Sequence, residues 1–141
     1  MKVSHLVKRA AVTITEGSTV LEAVRKMTEN NVGLVVIVGD SPRKAVGVLS
    51  ERDVMRLLAR DGPLNTKVME VATLNPLTVR AGDDIAKAAI AMSEHRVRHL
   101  VVVDDEGLLV GVISIRDLLG EKATIEAIVS SYRHEPIPGG D

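Results

Sequence analysis

Two copies of one short motif occur in the chain, as Gly47-Val-Leu-Ser-Glu-Arg-Asp53 and as Gly111-Val-Ile-Ser-Ile-Arg-Asp117. Each copy is typical of a short apolar strand that ends at a serine and continues into a helix. An ionised aspartate only accepts hydrogen bonds, so Asp53 or Asp117 can bind both hydroxyls of a ribose. The serine hydroxyl and the free backbone N–H groups of the turn can bind a phosphate. The motif therefore suits a ligand that carries a sugar and a phosphate.

The same residues also have a purely structural interpretation. Ser-x-x-Asp is a capping box, in which the two side chains bind the free backbone N–H groups at the start of a helix. Capping and binding do not exclude each other, because the serine can cap while the aspartate faces a ligand. The candidate binding residues of the two motifs are Ser50, Arg52, Asp53, Ser114, Arg116 and Asp117, the arginines as additional phosphate contacts.

Composition excludes several classes of function. The formal net charge of the 141 residues is −1, which gives no general attraction to nucleic acids or anionic membranes. The chain has no Phe or Trp and one Tyr, so it lacks the stacking rings of a single-strand binder. Absence of Cys excludes disulfides and thiolate metal sites. No apolar run suits a signal peptide or a membrane span, which predicts a cytoplasmic protein.

The motif belongs to a longer internal repeat. An offset of 65 residues aligns Thr13 with Thr78, Gly17 with Gly82, Met27 with Met92 and Val38 with Val103, and the offset is 64 residues at the motifs. Apolar residues recur at helical spacing from Val20 and from Ile85, and short apolar runs begin at Leu34 and at Leu100. Each unit is therefore predicted as β-α-β-β-α.

The predicted strands are Ala11–Ile14, Leu34–Val38, Ala45–Leu49, Leu77–Val79, Leu100–Val103 and Leu108–Ile113. The motif helices are predicted from Glu51 to about Ala59 and from Ile115 to about Leu119, and Asp83 is the expected cap of the helix at Ile85. We expect an α/β (α+β) fold of two units, residues 1–62 and 63–122, and a C-terminal helix and tail, residues 123–141. That helix is predicted over Thr124–Arg133, with an apolar face that includes Tyr132.

The repeat, the β-α-β-β-α order and the Gly-h-h-Ser-x-x-Asp motif together resemble a tandem pair of cystathionine-β-synthase (CBS) domains, a Bateman module. The resemblance extends from about Val3 to Leu119. It implies two repeats packed with pseudo-two-fold symmetry, in a cytosolic sensor that signals to a target. The implied regulatory ligand is AMP, ADP, ATP or S-adenosylmethionine, and no further cofactor is expected. It also implies a homodimer and, without an attached catalytic domain, a stand-alone module with a separate target protein.

The resemblance assigns ribose binding to Asp53 and Asp117 and phosphate binding to Ser50 and Ser114. It also points to Arg98 and His99, since this position of CBS domains often carries a His/Arg pair directed at phosphates, here in reversed order. The first repeat has Gly33 and Leu34 instead, so we expect two unequal sites. Candidate contacts to the adenine edge are the backbone near Val32 and Gly33 and near Val97 and Arg98, with Val12 and Leu77 against the ring. Thr13 and Thr78 are further candidates, because they lie at strand ends close to the proposed cleft.

Other functions remain open at this point. The chain could be a ligand-free homodimeric scaffold that docks a partner protein. Catalysis has less support, because no nucleophile is visible beside an oriented base. The four histidines lack metal-ligand spacing, and neither a Gly-x-Gly-x-x-Gly motif nor a Walker A loop is present. We therefore expect no metal site, no enzyme activity, and neither nucleic-acid nor membrane partners.

Overall fold

The computed structural model describes residues 1–131 and residue 139, except for the side chains of residues 121–124. Six helices occur in this part: α1 (Val20–Asn30), α2 (Glu51–Ala59), α3 (Val68–Val71), α4 (Ile85–His95), α5 (Ile115–Leu119) and α6 (Glu121–Ser131). The strands are β1 (Thr13–Thr15), β2 (Leu34–Val38), β3 (Ala45–Ser50), β4 (Thr73–Leu74), β5 (Thr78–Arg80), β6 (His99–Val103) and β7 (Leu109–Ser114). A short 3-10 helix precedes them at Val3–Leu6. The mixed α/β architecture and the repeated β-α-β-β-α order are confirmed.

Each repeat forms its own mixed sheet. In the first repeat β1 is parallel to β2, β2 is antiparallel to β3, and β3 is antiparallel to β4. In the second repeat β5 is parallel to β6, and β6 is antiparallel to β7. The registers are equivalent, since Leu34 lies opposite Ser50 and His99 lies opposite Ser114. The predicted hairpin pairs are therefore present in both units.

Two local predictions are wrong. Asp84 caps α4, and its Oδ1 accepts a hydrogen bond from the backbone N–H of Ala86 at 2.8 Å. Asp83 instead accepts from the backbone N–H of Arg80 at 2.9 Å and closes the preceding turn. The last helix begins at Glu121 instead of Thr124, because Gly120 follows α5 in the left-handed conformation and the chain re-enters a helix at once. Tyr132 and Arg133 lie outside the described residues.

Aliphatic side chains form the cores. One cluster of buried residues fills the first unit and a second fills the other, each between its sheet and its helices. A third cluster contains Val36, Val38 and Val48 of the first sheet together with Val101 of the second. The two sheets therefore pack against each other, and the backbone N–H of Leu109 donates to the carbonyl oxygen of Arg43 at 2.6 Å across the contact.

The two units exchange their leading segments, which the sequence analysis did not anticipate. Val3 is fully buried in the core of the second unit, and its backbone N–H donates to the carbonyl oxygen of Asp83 at 2.8 Å. Val68 is fully buried in the core of the first unit, and its backbone N–H donates to the carbonyl oxygen of Ser18 at 2.9 Å. Each unit is thus completed by residues that precede the other unit's strands. Across the described residues, no helix combines the length and apolar character that crossing a bilayer requires.

Candidate functional site: two clefts with a shared wall

The first motif forms a reciprocal capping box at the start of α2. The Ser50 hydroxyl accepts from the backbone N–H of Asp53 at 3.3 Å, while Asp53 Oδ2 accepts from the backbone N–H of Ser50 at 2.9 Å and from its hydroxyl at 3.0 Å. Asp53 Oδ1 lies 3.7 Å from the Arg56 guanidinium. Asp53 is only 5% exposed, so its carboxylate is largely enclosed by the protein.

The second motif has the same capping geometry at the start of α5. The Ser114 hydroxyl accepts from the backbone N–H of Asp117 at 3.3 Å, and Asp117 Oδ2 accepts from the backbone N–H of Ser114 at 2.7 Å and from its hydroxyl at 3.2 Å. These contacts within the described chain use Oδ2, which leaves Oδ1 of Asp117 able to accept from a ligand. Asp117 is half-buried, unlike Asp53, so its carboxylate is the more accessible of the two.

A cleft of about 360 Å³, here called the Asp117 cleft, lies beside the second motif. Its walls come from both repeats. Ala11, Val12 and Val32 provide an apolar side, while Ser114 and Asp117 provide a polar one. The basic residues Lys8, Arg9, Arg98 and Arg116 also line it, against the acidic residues Glu51 and Asp117. Its size and mixed lining suit a small anionic ligand.

The related Asp53 cleft has a volume of about 820 Å³ and combines the repeats in the opposite sense. Ser50 and Asp53 come from the first motif, while Leu77 and Val97 come from the second repeat. Arg52 and Arg56 add positive charge. In both clefts the Ser–Asp motif of one repeat faces the apolar edge of the other repeat, which no spacing within the sequence reveals.

Five residues line both clefts and form what we call the shared wall: Gly33, Leu34, Glu51, Arg98 and His99. The positive charge that only the second repeat carries at this position therefore borders both clefts. Arg98 immediately precedes β6 and His99 is its first residue, so both side chains lie where the two clefts meet. The clefts remain unequal for another reason, because Asp53 is enclosed and Asp117 is accessible.

Burial lowers the pKa of His99 below its usual 6.5, and the positive charges of Arg116 and Arg98 act in the same direction. The negative charges of Glu51 and Asp117 oppose the shift without reversing it. Removal of an imidazolium from water costs free energy, so the neutral form is favoured inside the fold. Near neutral pH, Arg98 therefore contributes the main positive charge of the shared wall.

Eleven of the thirteen candidate residues line a cleft. Val32, Ser114, Arg116 and Asp117 line the Asp117 cleft; Ser50, Arg52, Asp53 and Val97 line the Asp53 cleft; Gly33, Arg98 and His99 line both. Thr13 and Thr78 line neither, because both lie in strands that pair with β2 and β6. Their sequence neighbours Val12 and Leu77 reach the clefts instead.

Five charged residues of the clefts were not among the candidates: Lys8, Arg9, Glu51, Arg56 and Arg96. Glu51 was detectable, because the repeat alignment pairs it with the apolar Ile115. Lys8 and Arg9 gave no signal, since only the exchange of leading segments brings them to the Asp117 cleft. Among the described residues, no three His, Asp or Glu side chains are grouped to hold a metal ion.

Comparison with known proteins agrees with the duplicated fold. The family model for the CBS domain matches residues 3–60 and again 68–123. The mitochondrial CBS domain-containing protein CBSX3 of Arabidopsis thaliana is 32% identical over 126 residues, which cover 86% of this chain and 58% of the plant protein. The chain thus spans little more than half the length of that relative.

Solved structures show the same fold. The CBS domain protein PAE2072 from Pyrobaculum aerophilum, complexed with AMP, is 39% identical with a TM-score of 0.83, and the match covers 92% of this chain and 99% of that one. The CBS domain pair of protein MJ0100, in complex with 5-methylthioadenosine and S-adenosyl-L-methionine, has a TM-score of 0.78 at 24% identity. That match covers 86% of this chain and 99% of the MJ0100 pair, and it supports the fold alone. The protein therefore belongs to the CBS domain family and contains a tandem pair of CBS repeats.

Proposed function

We propose that the chain is a regulatory module that binds an adenosine-containing nucleotide in the Asp117 cleft. The observation that carries this proposal is an accessible carboxylate beside a cluster of positive charge. Oδ1 of Asp117 is available for a ribose hydroxyl, and Arg98, Arg116, Lys8 and Arg9 border the same space. Charge-assisted hydrogen bonds contribute about 1.5–3 kcal/mol each, so two or three suffice for micromolar binding.

The apolar side of the cleft supports an adenine. Ala11, Val12 and Val32 offer aliphatic surface for a ring, and the chain around Gly33 lies beside them. PAE2072, with AMP bound, is 39% identical to this chain. AMP is therefore the first ligand to test, and S-adenosylmethionine the alternative without a phosphate.

We propose that signalling depends on the fact that both repeats form the walls of the Asp117 cleft. The segment from Lys8 to Val12 borders the ligand space, while Val3 just before it is fixed in the core of the second unit. A ligand that contacts both repeats stabilises their relative arrangement. We propose that a separate target protein recognises the ligand-stabilised arrangement of the repeats, or its effect on a homodimer. No catalytic step in this chain is involved.

Titration calorimetry with AMP, ADP, ATP, adenosine and S-adenosylmethionine tests the proposal. We expect at least one of these ligands to bind and to raise the melting temperature, by RT ln(1 + [L]/Kd) in free energy. Replacement of Asp84, which caps α4 and lines neither cleft, by Asn is the matched control and must leave the affinity unchanged. Absence of binding at millimolar concentration of every ligand would refute the nucleotide function.

One observation favours the second candidate, a ligand-free scaffold that docks a partner protein. Ile125, Ile128 and Val129 lie on one face of α6 and are 51%, 62% and 46% exposed. Such a face is suited to association with another chain. Sedimentation at several concentrations, with and without nucleotide, separates the candidates: a scaffold forms a dimer or complex that nucleotides do not alter.

A further inference from the structure

The shared wall carries one acidic group. Three of the five residues that line both clefts are ionisable: the acidic Glu51, the basic Arg98 and His99. A ligand phosphate that approaches the wall from either cleft meets all three. The negative charge of Glu51 therefore offsets the positive charge of Arg98 in the wall.

The position of Glu51 follows from its place at the start of α2. It is the first residue after the capping Ser50, and its backbone N–H donates to the carbonyl oxygen of Gly33 at 3.0 Å. The side chain folds back over that glycine, since a Cβ built on Gly33 would lie 2.9 Å from Glu51 Oε1. Glu51 is exposed, and within the described part of the chain it forms no salt bridge.

The second repeat lacks this charge. Ile115 occupies the equivalent position, and its backbone N–H donates to the carbonyl oxygen of Arg98 at 2.8 Å. The first repeat thus contributes an acid where the second has an isoleucine. The second repeat contributes Arg98 and His99 where the first has Gly33 and Leu34. The ionisable members of these two exchanges, Glu51, Arg98 and His99, all lie in the shared wall.

We propose that Glu51 limits the negative charge that a ligand can bring to the shared wall, and so favours adenosine ligands with one phosphate or none over di- and triphosphates. This inference rests on the proposed function. Like charges in a partly buried site repel, and each further phosphate adds charge near the carboxylate. Because the Glu51 side chain is exposed, it can turn partly away, so the discrimination is graded and not absolute.

Glu51→Gln tests the inference, because glutamine has nearly the same shape without the charge and leaves the Ser50–Asp53 capping box intact. Dissociation constants for adenosine, AMP, ADP and ATP are measured by calorimetry for both proteins, at fixed low salt without magnesium. We expect unchanged affinity for adenosine and a gain that grows with each phosphate, reaching about tenfold for ATP. The gain should shrink as added salt screens the carboxylate.

Glu29→Gln is the matched control, because Glu29 is an exposed residue of α1 that lines neither cleft. An equal gain for all four ligands, a loss, or the same trend in Glu29→Gln would overturn the role of Glu51 while the nucleotide function stands. If neither wild type nor Glu51→Gln binds any of the four ligands or S-adenosylmethionine, the proposed function fails and this inference fails with it.

Discussion

Leu34 and His99 occupy the same position in the two repeats, each at the start of a buried strand and opposite the capping serine of its own motif. The fold therefore accepts an aliphatic side chain and an imidazole at one place. Both residues border the shared wall. This difference, together with Glu51 and Arg98, gives the two repeats different electrostatics.

The buried position of His99 predicts a pH dependence of stability. Its pKa in the folded protein is lowered from 6.5, so between the two values the unfolded chain binds more protons. Stability then rises with pH in that window, is fully present above 6.5, and is lost as the pH falls toward the lowered value. His99→Leu, which copies Leu34, should remove this part of the slope in urea unfolding between pH 5.5 and 8.

The control for that experiment is His5→Gln, which removes an exposed histidine and leaves His99 in place. It should retain the slope of the wild type. An unchanged slope in His99→Leu would show that the loss of stability at lower pH comes from other groups. Glu51, Asp117, Arg98 and Arg116 act on the imidazole, so the measurement also reports on the charge balance of the shared wall.

Asp117→Asn should weaken nucleotide binding by roughly tenfold or more, which corresponds to the loss of a charge-assisted hydrogen bond. The asparagine oxygen can still accept from the backbone N–H of Ser114, so α5 keeps its cap. Asp53→Asn should have the smaller effect, because Asp53 is 5% exposed and its Oδ1 lies near Arg56. Calorimetry of both variants with AMP, beside their melting temperatures, checks this order; equal losses would contradict it.

Gly111→Ala should destabilise the second unit. A Cβ at Gly111 would lie 2.6 Å from Cγ1 of Val7, and a β-branched valine cannot easily rotate away. The leading segment must then shift, at a cost of about 1–3 kcal/mol in the free energy of unfolding. Urea unfolding measures the loss.

The comparison variant for Gly111 is Gly82→Ala. Nothing lies within 4 Å of a Cβ built there, and its φ is outside the left-handed region. Gly82→Ala should be neutral, or stabilise by up to about 1 kcal/mol by restricting the unfolded chain. Equal effects at both glycines would argue against close packing of Val7 on β7.

Val3→Ala tests the exchange of segments. Val3 is fully buried in the core of the second unit, so loss of two methyl groups should cost about 2 kcal/mol. Chemical-shift changes in an NMR spectrum should concentrate around β5 and α4 instead of the first unit. Val129→Ala, at a 46% exposed position of α6, should cost less than about 0.5 kcal/mol. Shifts confined to the first unit would contradict the exchange.

The repeated β-α-β-β-α elements were predictable because they are encoded locally, whereas α3 and β4 were not predicted. Short apolar runs and helical spacing identified α1, β2 and the β3–α2 unit, and the serine at the end of each strand marked the helix starts. The helix start at Glu121 was missed because α5 and α6 are separated only by Gly120, so their patterns run together. Thr13 and Thr78 line neither cleft because strand pairing, which depends on distant residues, decides which neighbour borders a cleft.

The sequence alone determined the duplication, the order of elements and the residue types of the two Ser–Asp motifs, since these depend on near neighbours and on similarity between the repeats. Only the tertiary structure decided that each motif faces the apolar edge of the opposite repeat, that Asp53 is enclosed while Asp117 is accessible, and that Glu51, Arg98 and His99 share one wall. Those relations arise where two sheets pack and two leading segments cross over. Contacts between residues far apart in the chain are set by packing, and the local pattern of either repeat does not contain them.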